Sequence, residues 1–368
     1  MRQEDDSSAT VVGRRTRPRG IFYGWWIVTT GLLAMFMNAG FGFYALSAFF
    51  EPLKAELGWG RALVSGAISA SYLISGLAGP LIGRWTDRYG PKPLMFIGAL
   101  FTGISLLTFS VVSAIWQLYV SFALAAIGRA GTTGVPTSAV VANWFSRRRG
   151  TAMGVTTTGI GLGGVVTAPL AGHLIASLGW RWSLVVFALI VWTILLPMVA
   201  LVIKTRPQDI GLCPDGQPPT TAVPDQAGMA AGKEPTGEQW TLSLALRTQA
   251  FWLIAVAYAF VAYPVSAIIL HTVPFFVDRG ISAEEAATIL GSLAGLGVAG
   301  KLVCGYLADR ISAKLVLIIA ILLQILGLLI LLNTSSLAMA WVYVLVFGFG
   351  MGGIIALTPL VVANVYGL

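Results

Sequence analysis

The chain has 368 residues, 57% of them hydrophobic and only 10% charged, with a net charge of +8. Soluble domains carry about 25% charged residues, so this composition excludes an ordinary water-soluble globule and points to repeated membrane crossing. The two cysteines, Cys213 and Cys304, are too far apart for a metal or redox motif. With no nucleotide loop, metal cluster or catalytic triad in the sequence, neither a cofactor nor an enzyme activity is expected.

Residues 1–21 form a basic tail. No cleavable leader is read there, because the first apolar run is too long and lacks a small-residue cleavage site. Ten apolar runs follow, at about 22–46, 62–83, 93–113, 116–141, 151–176, 182–203, 250–273, 286–307, 314–333 and 338–361. Each approaches or exceeds the roughly 20 residues a spanning helix needs. The first six predict a bundle over 22–203. Residues 204–248, rich in Pro, Gly, Thr and Asp, predict a cytoplasmic linker. Four further spans fill 249–368.

With the N-terminus inside, seventeen of the 23 Lys and Arg residues fall on the cytoplasmic side. Lys54, Arg61, Arg181 and Arg279 fall outside, and Arg129 and Lys301 lie within spans. That bias sets the orientation of a multi-pass membrane protein by the positive-inside rule; the expected location is a bacterial inner membrane. The bias also accounts for Arg147-Arg148-Arg149 as a topology anchor, so no nucleic acid partner is expected. The expected partners are the bilayer and a small organic anion, with the chain acting as a monomer.

Shifted by 222 residues, the halves align. Pro52 falls on Pro274, Gly58 on Gly280, Gly83 on Gly305, Asp87 on Asp309, Arg88 on Arg310, Lys92 on Lys314, Gly128 on Gly350 and Gly131 on Gly353. Two like-oriented repeats imply a pseudo-two-fold axis along the membrane normal, with a site between the halves at mid-depth. Leu368 is the counterpart of Arg147, so about 56 residues of the first half have no partner. The sequence therefore predicts a chain that stops two spans short, through a frameshift, a damaged gene or a shortened fragment.

Gly83-Arg84-Trp85-Thr86-Asp87-Arg88-Tyr89-Gly90-Pro91-Lys92 resembles the signature loop of the major facilitator superfamily, and Gly305 to Arg310 repeats it. Trp144-Phe145-Ser146-Arg147-Arg148-Arg149-Gly150-Thr151-Ala152-Met153-Gly154, leading into Gly159 to Gly164, is similar to a signature of the monocarboxylate transporter and oxalate/formate antiporter group. So are Phe22 to Trp26, Arg206-Pro207 with Gly211-Leu212 and Pro214-Asp215-Gly216, and His271 to Pro274 with Asp278, Gly280 and Ser282. The resemblance implies an all-α membrane protein of the major facilitator fold, two pseudo-symmetric six-helix bundles, here with ten of twelve helices. It implies gating by Asp87, Arg88, Asp309 and Arg310 at the cytoplasmic face, with each Asp capping a helix of the opposite half. Helix eleven is the implied partner of Asp87. The Gly159 and Gly163 pair reads first as a close helix crossing.

Arg129 lies midway along the fourth span, where an Arg costs on the order of 3 kcal/mol even by the mildest scale. No acidic residue lies within any of the ten apolar runs. A wet cavity with an anionic ligand would satisfy Arg129, as would backbone carbonyls. Lys301 occupies the eighth span, at a place where the resembling carriers usually hold an Arg that binds the substrate carboxylate. A Lys there keeps the charge, loses the two-pronged fork and is able to carry a proton. Snorkelling to the interface is the alternative. His271 and His173 lie near the outer ends of their helices; Tyr44, Asn38, Tyr258 and Tyr263 complete the candidate substrate contacts.

These observations predict secondary active transport of a mono- or dicarboxylate by alternating access, coupled to protons or to exchange. The alternatives are a non-functional shortened carrier, a non-transporting membrane sensor, and a carrier that exports another metabolite or drug.

Overall fold

The computed structural model describes residues 21–216 and 242–366, so the predicted tail up to residue 20 and the centre of the predicted linker lie outside the described residues. Ten helical spans follow in order, with no strand among the described residues. α1 comprises Gly24–Ala39 and Leu46–Leu57, joined by a π-type turn, Gly40–Tyr44. α2 is Arg61–Tyr89 and α3 is Pro91–Ser110. α4 comprises Ile115–Thr132 and Val135–Trp144; α5 is Arg149–Leu178 and α6 is Trp180–Val202. After the linker come α7, Gln249–Val277, α8, Ala283–Ala308, α9, Ala313–Leu332, and α10, Leu337–Tyr366.

Eight of these helices are individually long and apolar enough to cross a membrane. The other two, α1 and α4, are interrupted where the sequence predicts unbroken runs; α6, among the eight, turns π-type at Val191–Leu195 and Met198–Val202. Apolar content does not reveal a change in backbone hydrogen bonding, and both breaks follow from particular residues. In α1 the Ala45 amide reaches back five residues to the Gly40 carbonyl, at 2.8 Å. In α4 Thr133 is extended, Gly134 has φ of +57°, and Pro136 follows. Pro136 has no amide to offer the Thr132 carbonyl, so the Thr137 hydroxyl donates to it instead, at 2.6 Å.

The outer surface is apolar. α9 exposes Leu322, Ile325, Leu326, Leu329 and Leu332, and α7 exposes Trp252, Leu253, Val256 and Phe260. A continuous apolar surface of this extent is stable only against lipid. Inside, the first six spans share one core in which Phe41 stacks on Phe187 at 4.5 Å between ring centres and Phe49 and Phe109 pack alongside. The last four spans gather around Phe276, Tyr343 and Phe347, and around Cys304, Val316 and Leu357. Small residues allow the close crossings: a Cβ at Gly98 of α3 would lie 2.8 Å from the Gly128 carbonyl of α4.

Alternating spans bring the loops 84–92, 145–149 and 309–314, with their arginines and lysines, to one end of the bundle, here termed the basic face. At the opposite face Glu56 ties the end of α1 to the start of α6. Arg181 Nη2 donates to Glu56 Oε1 at 2.8 Å and Trp180 Nε1 to Oε2. These bonds, Arg181 first and Trp180 next, hold the Glu56 carboxyl below its ordinary range. A depressed carboxyl stabilises the fold above its unfolded value and loses that effect as pH falls through the lower folded value. Thermal scans of the wild type and of Glu56→Gln are therefore expected to differ near neutral pH and to converge in acid, below the usual carboxylate range. Curves offset by the same amount at every pH would show that the charge contributes nothing.

Candidate functional site

The two helix breaks face one another. Asn38, two residues before the α1 break, donates from Nδ2 to the Ala34 carbonyl at 3.0 Å and to the Thr132 hydroxyl at 2.8 Å. Thr132 is the last residue before the α4 break. Beside them lies a cavity of about 40 Å³, lined by Asn38, Phe41, Ser71, Thr102, Ser121 and Arg129 among others. Its lining comes entirely from α1 to α4, so it lies inside the first group of spans and not between the repeats. π-type turns recur at functional sites because they redirect side chains within a helix.

Arg129 enters this cavity from α4. Its Nη2 donates to the Ser71 carbonyl at 3.0 Å and to the Ser71 hydroxyl at 3.2 Å, and its guanidinium carbon stands 4.2 Å from the centre of the Tyr72 ring. These partners are a carbonyl, a hydroxyl and an aromatic face, none of which neutralises the charge. Ser71, Thr102 and Ser121 each donate to a carbonyl of their own helix. Their lone pairs and the remaining guanidinium hydrogens are left for what enters. The space is enough for water or a small anion beside the guanidinium.

Lys301 occupies a second position. It is 2% exposed on α8 and meets no carboxylate among the described residues. The side chain lies against the glycine run of α5: a Cβ at Gly161 would stand 3.8 Å from Lys301 Nζ. α5 is the shared wall. Gly161 turns towards α8, whereas a Cβ at Gly163 would lie 3.0 Å from the Gly40 amide of α1, and one at Gly164 would touch the Tyr44 ring at 3.0 Å. Gly159 likewise meets Leu32 and Phe36. Tyr44 and Asn38 thus flank the break in α1, while Lys301 stands on the far side of α5. Arg129 and Lys301 are not in contact.

The remaining sequence candidates fall elsewhere. Tyr258 and Tyr263 are exposed on α7, Tyr263 at 76%, and His271 and His173 are exposed as well. None of these four lines the cavity. An apolar helix with a few tyrosines does not reveal which face turns inward.

At the basic face the repeated Asp residues behave differently. Asp309, half-buried, accepts the Gly150 amide at 2.6 Å and the Thr151 amide at 2.7 Å, together with the Thr151 hydroxyl. It therefore caps the first turn of α5, where orphan amides and the helix dipole favour an anion. α5 and α8 touch here through backbone: a Cβ at Gly154 would lie 2.6 Å from the Lys301 carbonyl, and one at Gly305 2.6 Å from the Gly150 carbonyl. The repeats are closed together at this end. Asp87 is exposed, with no hydrogen bond among the described residues. The helix that the resemblance names as its partner is not among those residues either. Arg88 and Arg310 are exposed and lie over the rings of Tyr89 and Tyr306, at 5.3 and 5.0 Å. Ser71, Tyr72 and Thr132 escape a sequence reading, since a lone hydroxyl in an apolar run carries no pattern.

Comparison with known proteins agrees with this architecture. The chain is 26% identical over 288 residues to the MFS transporter asaE of Aspergillus flavus, covering 78% of this chain and 60% of that protein. It is 27% identical over 315 residues to human Monocarboxylate transporter 11, covering 83% of this chain and 61% of that one. The chain thus spans about three fifths of the length of these relatives. The crystal structure of the human organic anion transporter MFSD10 (TETRAN) shares the fold, with a TM-score of 0.66 and 18% identity over 93% of this chain and 86% of that one. The family model of the Major Facilitator Superfamily matches residues 31–367. With its ten spans, internal repeat and matching signature loops, the chain belongs to the Major Facilitator Superfamily.

Proposed function

We propose that the protein carries a small organic anion, a mono- or dicarboxylate, across its membrane by alternating access. In this reading residues 22–203 and 249–368 are the two rocking units, and the basic face is cytoplasmic. One observation carries the proposal: Arg129 and Lys301 are held within spans, and neither meets a carboxylate among the described residues. An Arg or Lys within the bilayer needs a partner, a wet cavity or an anion. A carboxylate that visits each in turn, on the two sides of the α5 glycine run, would satisfy both. The names of the human relatives, a monocarboxylate transporter and an organic anion transporter, support the same substrate class.

Closure at the basic face corresponds to a state open to the other side. Asp309 and the Gly150, Gly154 and Gly305 contacts form the gate, and the buried Lys301 supplies a proton-linked or exchange-linked charge. The test is uptake of radiolabelled mono- and dicarboxylates by the chain reconstituted in vesicles, with and without a pH gradient. Saturable uptake that competes with other carboxylates and not with sugars or amines is expected. Background flux for every carboxylate would overturn the reading.

A further inference from the structure

The segment after α6 is folded, although its composition reads as linker. Pro207–Ile210 form a short helical turn in which Asp209 accepts the Arg206 amide at 2.9 Å, and Gly211 turns the chain back. A second turn, Pro214–Gly216, follows. The segment lies along the loop between α4 and α5. Asn143 Nδ2 donates to the Thr205 carbonyl at 3.1 Å, and Trp144 Nε1 to the Lys204 carbonyl at 2.9 Å. Leu212 packs on the core of the first six spans. Gly216 approaches Phe22 so closely that a Cβ there would stand 2.9 Å from the ring.

The far end of this strap is its chemical point. Asp215 Oδ2 accepts the Ser146 amide at 3.0 Å and the Arg147 amide at 2.6 Å. Three residues further on, Gly150 and Thr151 donate to Asp309. One six-residue turn therefore offers four backbone amides to two carboxylates. Asp309 belongs to the second repeat, and Asp215 to the strap fixed on the first. Asp215 also holds φ at +57°, a left-handed conformation that Asp and Asn tolerate better than other side chains.

We propose that Asp215 is a positioning residue of the gate: it fixes the 146–149 turn so that α5 presents its first amides to Asp309. In the gating cycle Asp309 leaves when the repeats separate at the basic face, and Asp215 stays. The receiving turn thus remains formed, and closure does not require it to be rebuilt each time. This inference rests on the gate reading above, and the experiment separates the two.

The readout is the distance distribution between spin labels at Arg148→Cys and Ser312→Cys, one on each side of the gate, with Cys213 and Cys304 replaced by serine. Asp309→Ala tests the gate itself, and an unchanged distribution in that variant overturns the gate reading whatever Asp215 does. Asp215→Gly removes the carboxylate and keeps the backbone freedom. It is expected to raise the open population at least fivefold and to add little to Asp309→Ala in the double variant. Asp215→Asn, which retains an acceptor and the left-handed conformation, is expected to restore most of the closed population. If Asp309→Ala opens the gate and Asp215→Gly leaves it closed, the positioning role is wrong. Full additivity in the double variant, or failure of Asp215→Asn to rescue, overturns it as well.

Discussion

Replacing Lys301 by methionine is expected to cut anion uptake efficiency about 10- to 100-fold and, at the same time, to raise the melting temperature. Both effects follow from one geometry. Lys301 is 2% exposed on α8 and meets no carboxylate among the described residues. A buried charge without a partner opposes folding, and an apolar chain of similar length removes that cost. Sites that disobey the packing rules in this way tend to be functional, and relieving them exchanges activity for stability. A contact between a buried cation and a carboxylate is worth about 1.5 to 3 kcal/mol, which is about a 10- to 100-fold loss in uptake efficiency. Lys301→Arg keeps the charge but brings a larger planar group against the Gly161 wall, so partial activity is expected. The measurement is initial uptake rate against concentration, beside a thermal unfolding curve in detergent. If Lys301→Met keeps uptake and lowers the melting point, Lys301 is a packing residue and the substrate contact must be sought at Arg129 alone.

Gly154→Val is expected to act through shape alone. Its first side-chain carbon would stand 2.6 Å from the Lys301 carbonyl, well inside van der Waals contact, and backbone has no rotamer with which to yield. α5 and α8 must then separate at the basic face. Separation also draws Asp309 away from the Gly150 and Thr151 amides, so the closed state loses both its packing and its cap. The expected result is a carrier held open at the basic face. A cysteine at Val298, which lies against Gly161 in the closed state, should react with a membrane-impermeant maleimide added on that face at least tenfold faster, in a background lacking Cys213 and Cys304. Net uptake should fall by a similar factor while the melting point changes little. Unchanged labelling and unchanged uptake would mean that the α5–α8 contact forms no part of the cycle.

The two experiments probe different links. Lys301→Met removes a charge and leaves the closed interface in place, whereas Gly154→Val leaves every charge and disturbs the interface. A carrier by alternating access requires both to fail, in distinguishable ways: the first without a conformational bias, the second with one.

Sequence alone determined the class of this protein. Runs of about 20 apolar residues and the asymmetry of Lys and Arg follow directly from the cost of polar groups in hydrocarbon, so they are readable without coordinates. The repeat made the Asp87 and Asp309 loops visible as equivalents, and the absence of acids from the apolar runs singled out Arg129 and Lys301. Only the tertiary structure decided what those residues meet. Asp87 and Asp309 are matched in sequence, yet Asp309 caps α5 while Asp87 is exposed, because a cap depends on which helix end stands opposite. The breaks in α1 and α4 stayed hidden for a different reason: Gly40 and Gly134 are two among 43 glycines, and an apolar run does not say which of them leaves the α-helical hydrogen-bond pattern. The segment 204–216 has a linker's composition and is nonetheless ordered, since its hydrogen bonds run to Asn143, Trp144, Ser146 and Arg147 and not to itself alone. Composition reports what a segment is able to bury; only packing reports what it is held by.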